Sequence, residues 1–209
     1  MLIGICGWIG SGKDTISDYL TNFYGFRRES FASSLKDAVS AVFGWDRILL
    51  EGRTKEAREW REQIDPWWSA RLNIPNLTPR WVLQYWGTEV CRQGFHQDIW
   101  ISSVENKLRN SHDDIIITDC RFPNEITAIK QADGIVVWVR RGELPEWYNL
   151  ALNNKDLMPL TYPDIHASEW AWVGTKFDYV LDNNKSIQDL YDQVENLFKT
   201  ETLLYHTEH

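Results

Sequence analysis

Met1-Leu2-Ile3-Gly4-Ile5-Cys6-Gly7-Trp8-Ile9-Gly10-Ser11-Gly12-Lys13-Asp14-Thr15 is an apolar run that feeds a glycine-rich turn and then a helix. Leu2, Ile3 and Ile5 mark a strand, and Ile16, Tyr19, Leu20 and Phe23 recur at the spacing of one helical face. Between them Gly7 to Lys13 fits G-x-x-x-x-G-K, a phosphate-binding loop. Glycine adopts positive φ without steric cost, so Gly7, Gly10 and Gly12 let the backbone turn its N–H groups inward as an anion nest. The helix beginning near Lys13 aims its positive end at the same spot, and Lys13 adds a full charge. The plain alternative, a glycine turn that happens to precede a lysine, lacks a reason for the strand before it and the helix after it. Gly7, Trp8, Gly10, Ser11, Gly12 and Lys13 are therefore expected to cradle a nucleotide's phosphates. The loop departs from the general pattern after the lysine. A Ser or Thr hydroxyl is expected there as a Mg²⁺ ligand, whereas this chain has Asp14, with Thr15 one residue later. A carboxylate is a good hard-cation ligand, so Asp14 is expected to keep the metal role and Thr15 to touch phosphate or metal.

Outward from the loop, strands alternate with helices. A first helix ends near Tyr24-Gly25, and Phe26–Phe31 follows as a short strand. Leu35, Ala38, Val39, Val42 and Phe43 make one helical face that stops at Gly44. Residues 45–78 differ in kind, a charged stretch followed by a Pro/Asn-rich passage, and read as an insertion. Thr78-Pro79 is a helix start, interrupted by Gly87, and Asp98 caps another helix. Asp113–Asp119 is an apolar strand ending in a carboxylate, a Walker-B-like strand, though an ordinary strand exit looks the same in isolation. Gly134–Val139 and Tyr179–Leu181 are two more strands, and Ser186 caps a final helix whose last ten residues fray. The expected class is α/β, a P-loop-type parallel sheet of about five strands with helices on both faces. Ligands bind such sheets at the carboxyl ends of the strands, so the loop, Asp119 with Arg121, and Arg140 with Arg141 should meet there.

The chain's 209 residues, 43% apolar, can bury one substantial core, and a single domain over 1–209 is expected. No apolar run is long enough for a membrane span, and residues 2–7 are needed for the fold rather than for a leader. Cys6, Cys91 and Cys120 show no metal-ligand spacing, and their odd number fits reduced thiols in a cytoplasm. The net charge of −8 disfavours a long nucleic-acid partner. Of twelve tryptophans, seven fall between Trp45 and Trp100, mainly for packing, with the remainder available to stack on a base.

Taken as a set, Gly12-Lys13-Asp14-Thr15, Phe31–Asp37, Leu83–Glu89, Asp98-Ile99-Trp100 and Thr118–Glu125 resemble the phage-type deoxynucleoside monophosphate kinases, which are P-loop nucleotide kinases. His166-Ala167-Ser168-Glu169 and Leu181–Asn184 extend the resemblance almost to the C-terminus. Asp14, unusual for the general loop, agrees with this family. The resemblance implies transfer of the ATP γ-phosphoryl group to a deoxynucleoside 5′-monophosphate, giving a diphosphate and ADP. It implies Mg²⁺ held by Asp14, Asp119 and Thr15, and acceptor phosphate held by Arg80 and Arg121, since a guanidinium fork matches phosphate oxygens.

Further site residues are expectations of the same kind. Arg140 and Arg141 are candidates to act on the transferring charge, with solvated or paired surface arginines as the alternative. Glu125 either orients Arg121, binds sugar or base, or makes a surface salt bridge. Asp37, Gln84, Glu89 and Trp100 are acceptor-nucleoside contacts, Trp100 by stacking, with core packing or capping the other reading of each. Asn183, after the last strand, meets the donor adenine, while Arg92 and His166 are weaker candidates. A largely helical acceptor-binding region over 45–110 and a lid-like segment over 142–175 complete the layout, with homodimerisation left open. Two other functions share the loop: a kinase for another small phosphorylated acceptor, and a noncatalytic nucleotide-binding protein. A polynucleotide end-kinase is disfavoured by the acidic balance.

Overall fold

The computed structural model describes residues Met1–Glu208. The chain forms two compact units, Met1–Ser30 together with the chain from Ser111 onward, and Phe31–Asn110.

The first unit holds the sheet. Strands β1 (Leu2–Cys6), β2 (Arg27–Glu29), β3 (Ile115–Ile117), β4 (Ile135–Arg140) and β5 (Tyr179–Asp182) lie in the order β2-β3-β1-β4-β5. Every pairing is parallel. Four of the five strands fall where the apolar runs place them, and the charged β2 falls within the expected Phe26–Phe31, giving a P-loop-type α/β arrangement. β1 is central: Gly4 is in register with Ile117 of β3 and with Val136 of β4. A central strand in a parallel sheet is covered on both faces, which is why its sequence is apolar throughout instead of alternating.

On one face Ile3 and Ile5 pack with Ile16 and Leu20 of helix Lys13–Tyr24 and with Leu190, Val194 and Leu197 of helix Ile187–Glu208. On the other face the side chain missing from Gly4 makes room for helix Pro123–Gln131. A Cβ there would lie 2.3 Å from Ile129 Cδ1. The expected helix ends hold. Gly25 closes the first helix at φ 73. Ser186 Oγ accepts from Asp189 N at 3.2 Å while Asp189 Oδ2 accepts from Ser186 N at 3.1 Å, a reciprocal cap. Fraying was expected of the last ten residues; the helix runs to Glu208, and His209 lies outside the described residues. Residues 142–175 carry short helices Tyr148–Asn153, Met158–Thr161 and Ala167–Trp170 around their own core of Trp147, Ala151, Met158 and Val173.

The second unit is helical. Helix Ser33–Phe43 buries Leu35, Val39 and Phe43. Ala38 and Val42, expected on the same face, are exposed, because only the narrow i, i+4, i+8 row is covered. Capping side chains start the next four helices. Asp46, Thr54, Asp65 and Thr78 each accept from backbone N–H groups at the heads of Arg47–Glu51, Lys55–Arg61, Pro66–Leu72 and Pro79–Tyr85. Gly87 does not interrupt the last of these as expected. The helix passes into a π-helical stretch, Trp86–Gln93, and at Gly87 a Cβ would approach Leu35 Cδ2 to 2.9 Å. Gly87 is a packing glycine. The tryptophans serve the core as expected for most of them: Trp45 stacks on Phe43 at 4.5 Å, and Trp68 donates to Phe43 O at 3.1 Å. Helix Ile99–Leu108 closes the unit, with Asp98 at its N-cap position. Among the described residues, no helix is long and apolar enough to cross a membrane.

Candidate active site

The loop after β1 is shaped by its glycines. Gly7, Gly10 and Gly12 have φ of 150, 77 and 106. At Gly12 a Cβ would also sit 2.3 Å from Asn183 Nδ2, and at Gly7 one would sit 2.7 Å from Val139 O, so two of the three sites exclude side chains on both counts. The first helix starts at Lys13, so its first amides face the loop. Lys13 Nζ folds back and donates to the carbonyls of Gly7 and Trp8, both at 2.7 Å. Burial, and then the Arg121 guanidinium, push the Lys13 amine down to about 8, against the opposing pull of Asp14, Glu169 and Cys6. Ser11 Oγ, buried in the same loop, has no hydrogen-bond partner among the described residues. Cationic groups held close together, an unused hydroxyl and inward amides make a site suited to a polyanion.

The strand ends supply the rest. Asp119, two residues past β3, accepts from Ser30 Oγ at 2.6 Å. Asp14 is mostly exposed and pairs with Arg28 of β2, which also reaches Asp18 at 3.6 Å. Arg121 donates through Nη1 to Glu169 Oε1 at 2.6 Å and to Ser168 Oγ at 3.4 Å. Glu125 is 2% exposed, and its carboxylate accepts from the Arg121 and Phe122 N–H groups at 2.7 and 3.0 Å. Glu125 is thus a buried cap on the backbone of Arg121 and Phe122, not a surface salt bridge. Arg141 reaches back over the loop to Gly10 O at 3.4 Å. Arg140 instead lies over the Trp138 ring at 5.5 Å. Asn183 Nδ2 donates to Ser11 O at 2.9 Å, so in this structure it braces the loop. The first unit thus brings together Lys13, Arg121, Arg141 and Asn183 on one loop and its neighbours.

In the second unit, Arg80 pairs with Glu62 at 3.1 Å. Asp37 accepts from Arg47 Nε at 2.6 Å, beside Glu51, which also takes Lys36 at 2.8 Å. Trp100 is 8% exposed, with Nε1 donating to Gly87 O at 2.9 Å, a buried bond that fixes its ring in the core. Gln84 and Glu89 are half-buried, Gln84 on the helix before the π-helical stretch and Glu89 within it. Arg92 is buried and donates to Gln97 O at 3.1 Å, and His166 in the first unit caps Ser168 N at 3.2 Å.

Among the described residues no group of three or more His, Cys, Asp and Glu converges as a metal cage. Of the expected metal residues, Asp14 and Thr15 open the helix that begins at the loop lysine, and Asp119 lies two residues past β3.

Three participants were not singled out from sequence. Arg28 lies within β2 and Ser30 just past its carboxyl end, where the strand-end rule applied to β2 would have pointed. Glu169 lies in the His166–Glu169 motif but was read there only as part of a resemblance. Its backbone O accepts from Trp8 Nε1 at 3.1 Å, tying that motif to the phosphate loop.

A glycine loop and lysine after the central strand of a parallel sheet, with arginines at the neighbouring strand ends, define a P-loop nucleotide-binding protein of the phosphoryl-transfer type. Comparison with known proteins narrows the class: residues 50–194 match the family of deoxynucleotide monophosphate kinases, and the chain belongs to that family. A provisionally named deoxynucleotide monophosphate kinase of Acanthamoeba polyphaga mimivirus is 30% identical over 207 residues, covering 93% of this chain and 94% of that protein. The deoxynucleoside-5′-monophosphate kinase of Escherichia phage T5 is 29% identical over 182 residues, 64% of this chain and 73% of that protein. Among solved structures, shikimate kinase from Aquifex aeolicus aligns with a TM-score of 0.47 at 12% identity, over 97% of this chain and 99% of that one.

Proposed function

We propose that this protein transfers the γ-phosphoryl group of ATP to the 5′-phosphate of a deoxynucleoside monophosphate, giving a deoxynucleoside diphosphate and ADP. The observation that carries the reading is the buried Lys13 amine on the glycine loop with the Arg121 guanidinium close enough to depress it, in a chain of this family. Glu169 takes only one corner of the Arg121 guanidinium, and the Lys13 amine remains depressed despite the Asp14 and Glu169 carboxylates, so the phosphates of donor and acceptor would add favourable counter-charge at both.

The acceptor phosphate is mostly a dianion near neutral pH and needs no strong general base. Catalysis then consists of alignment and charge stabilisation. The loop amides and Lys13 hold the donor phosphates. Arg121, its backbone fixed by Glu125, holds the acceptor phosphate, and Arg141 bears on charge near the loop. Mg²⁺ bound with the nucleotide, through Asp119, Asp14 and Thr15 directly or by water, would neutralise the β- and γ-oxygens. Under this proposal the 45–110 region supplies acceptor contacts, with Arg80, Gln84 and Glu89 as candidates and Asp37 adding one from the helix before it, while Trp100 serves the core and 142–175 acts as a lid. Asn183 contributes to the donor site by holding Ser11. The three free thiols support placing the reaction in a cytoplasm, that of the host if the chain is phage-encoded.

The test is purified protein with Mg-ATP, offered separately each deoxynucleotide, each ribonucleotide, and 5′-phosphorylated and 5′-hydroxyl oligonucleotides. Diphosphate from at least one deoxynucleotide is expected, with poorer use of ribonucleotides. Phosphorylation of oligonucleotide ends while every deoxynucleotide is ignored would overturn the assignment.

A further inference from the structure

The Arg121 side chain is more than a third exposed, yet its hydrogen bonds all leave through one corner. Nη1 bonds Glu169 Oε1 at 2.6 Å and Ser168 Oγ at 3.4 Å, and its ion pair is this same Glu169 contact. Nε and Nη2 have no partner among the described residues. A guanidinium binds phosphate best through two parallel N–H groups, so the edge left open is the one a phosphate would use.

Glu169 is itself held. Its carboxylate is four-fifths buried, and its backbone carbonyl accepts from Trp8 Nε1, inside the phosphate loop. The Trp8 ring is packed by Trp138, Trp147, Tyr148 and Trp172 at 5.0–6.0 Å, so it is not free to drift. On the next turn of chain, His166 Nδ1 accepts from Ser168 N at 3.2 Å and lies 2.9 Å from Ser168 Oγ, fixing the second contact of Nη1. The position of the guanidinium is therefore referenced to the loop that carries Lys13, through Trp8 and Glu169, while Glu125 fixes its backbone.

We propose that Glu169 is a positioning residue for phosphoryl transfer: it grips Arg121 by Nη1 so that the Nε/Nη2 edge faces a phosphate at a set distance from the loop. This rests on Arg121 acting on a substrate phosphate, as proposed above. A lost grip leaves Arg121 charged and present but misdirected. The loss should then fall mainly on kcat, because alignment matters most in the transition state.

The experiment is a double-mutant cycle on the full chain, with kcat and KM for ATP and for the deoxynucleotide acceptor. Folding is checked by circular dichroism and thermal melting. Glu169→Ala should lower kcat about tenfold to a hundredfold with KM for ATP changed less than about threefold. Glu169→Gln keeps an oxygen that Nη1 can bond and should recover part of the loss. In an Arg121→Ala background, Glu169→Ala should cost little more, because the residue it positions is gone. A full additional loss in that background, or a Glu169→Ala enzyme as fast as the parent, would overturn the positioning role. Full activity in Arg121→Ala alone would instead overturn the assignment of Arg121. If Glu169→Ala does not fold, the cycle is run with Glu169→Gln under the same criteria.

Discussion

Lys13 should take up a proton when nucleotide binds. In the free protein its amine is pushed down to about 8, first by burial and then by Arg121. At pH 8 it is therefore about half charged, and at pH 9 only about a tenth. ADP brings negative phosphates against Nζ and restores the charged form. Binding should then draw in about half a proton at pH 8, about 0.9 at pH 9, and no more than about 0.1 at pH 7. If the bound value returns to 10.5, the coupling reaches about 3 kcal/mol, and ADP affinity should fall toward tenfold per pH unit above pH 8. The assay is calorimetric titration with ADP in EDTA, in buffers of different ionisation enthalpy, since the buffer dependence of the heat counts protons. EDTA removes the competing effect of a divalent cation on the amine. Lys13→Met is the control. Buffer-independent heats for the parent between pH 7 and 9, or an uptake that persists in Lys13→Met, would refute the reasoning. For stability the sign runs the other way. Between about 8 and 10.5 the unfolded chain binds more protons at this lysine than the folded one. Its contribution to the free protein's stability therefore rises with pH across that window.

Asp14→Ala should raise the Mg²⁺ concentration needed for half-maximal activity, with Asp14→Ser intermediate; identical Mg²⁺ titrations for all three proteins would assign Asp14 to its Arg28 pair alone. Gly12→Ala forces a side chain to φ 106 and toward Asn183, so ADP binding should weaken by about fivefold to thirtyfold at roughly 1–2 kcal/mol of strain, read by calorimetry. Trp100→Phe removes the donor to Gly87 O and should lower stability in urea by about 1–3 kcal/mol, leaving acceptor KM nearly unchanged. A large KM effect without a stability loss would make Trp100 the base-stacking residue.

The strands and the phosphate loop were legible because each depends on a local signal. Ile3, Ile5 and Ile115–Ile117 are apolar where a buried parallel strand must be, and the glycines of the loop are required by positive φ. The caps at Thr78 and Ser186 are local in the same sense. The π-helical stretch after Tyr85 was not legible, since Gly87 reads as a break until Leu35 is seen packing where its side chain would be. Ala38 and Val42 fit a helical period, but period alone does not say how wide a stripe a neighbour covers. Arg28, Ser30 and Glu169 are polar residues with no spacing rule. Each matters through a partner far along the chain, Asp14, Asp119 or Arg121, and only the fold brings the pairs together.

The braces on the phosphate loop come late in the chain. β1 is made first, but its neighbours in the sheet begin at Ile115 and Ile135. Trp8 is bonded to Glu169, and Ser11 to Asn183. A nascent chain emerging from the ribosome therefore carries the nucleotide motif through well over a hundred further residues without the contacts that hold it in shape. The same dependence makes the loop's shape rest on the stretch from Glu169 to Asn183. A chain cut before Asn183 would retain every residue of the glycine loop and lose its brace. Translation thus delivers a fully braced nucleotide-binding loop only once Asn183 has been added.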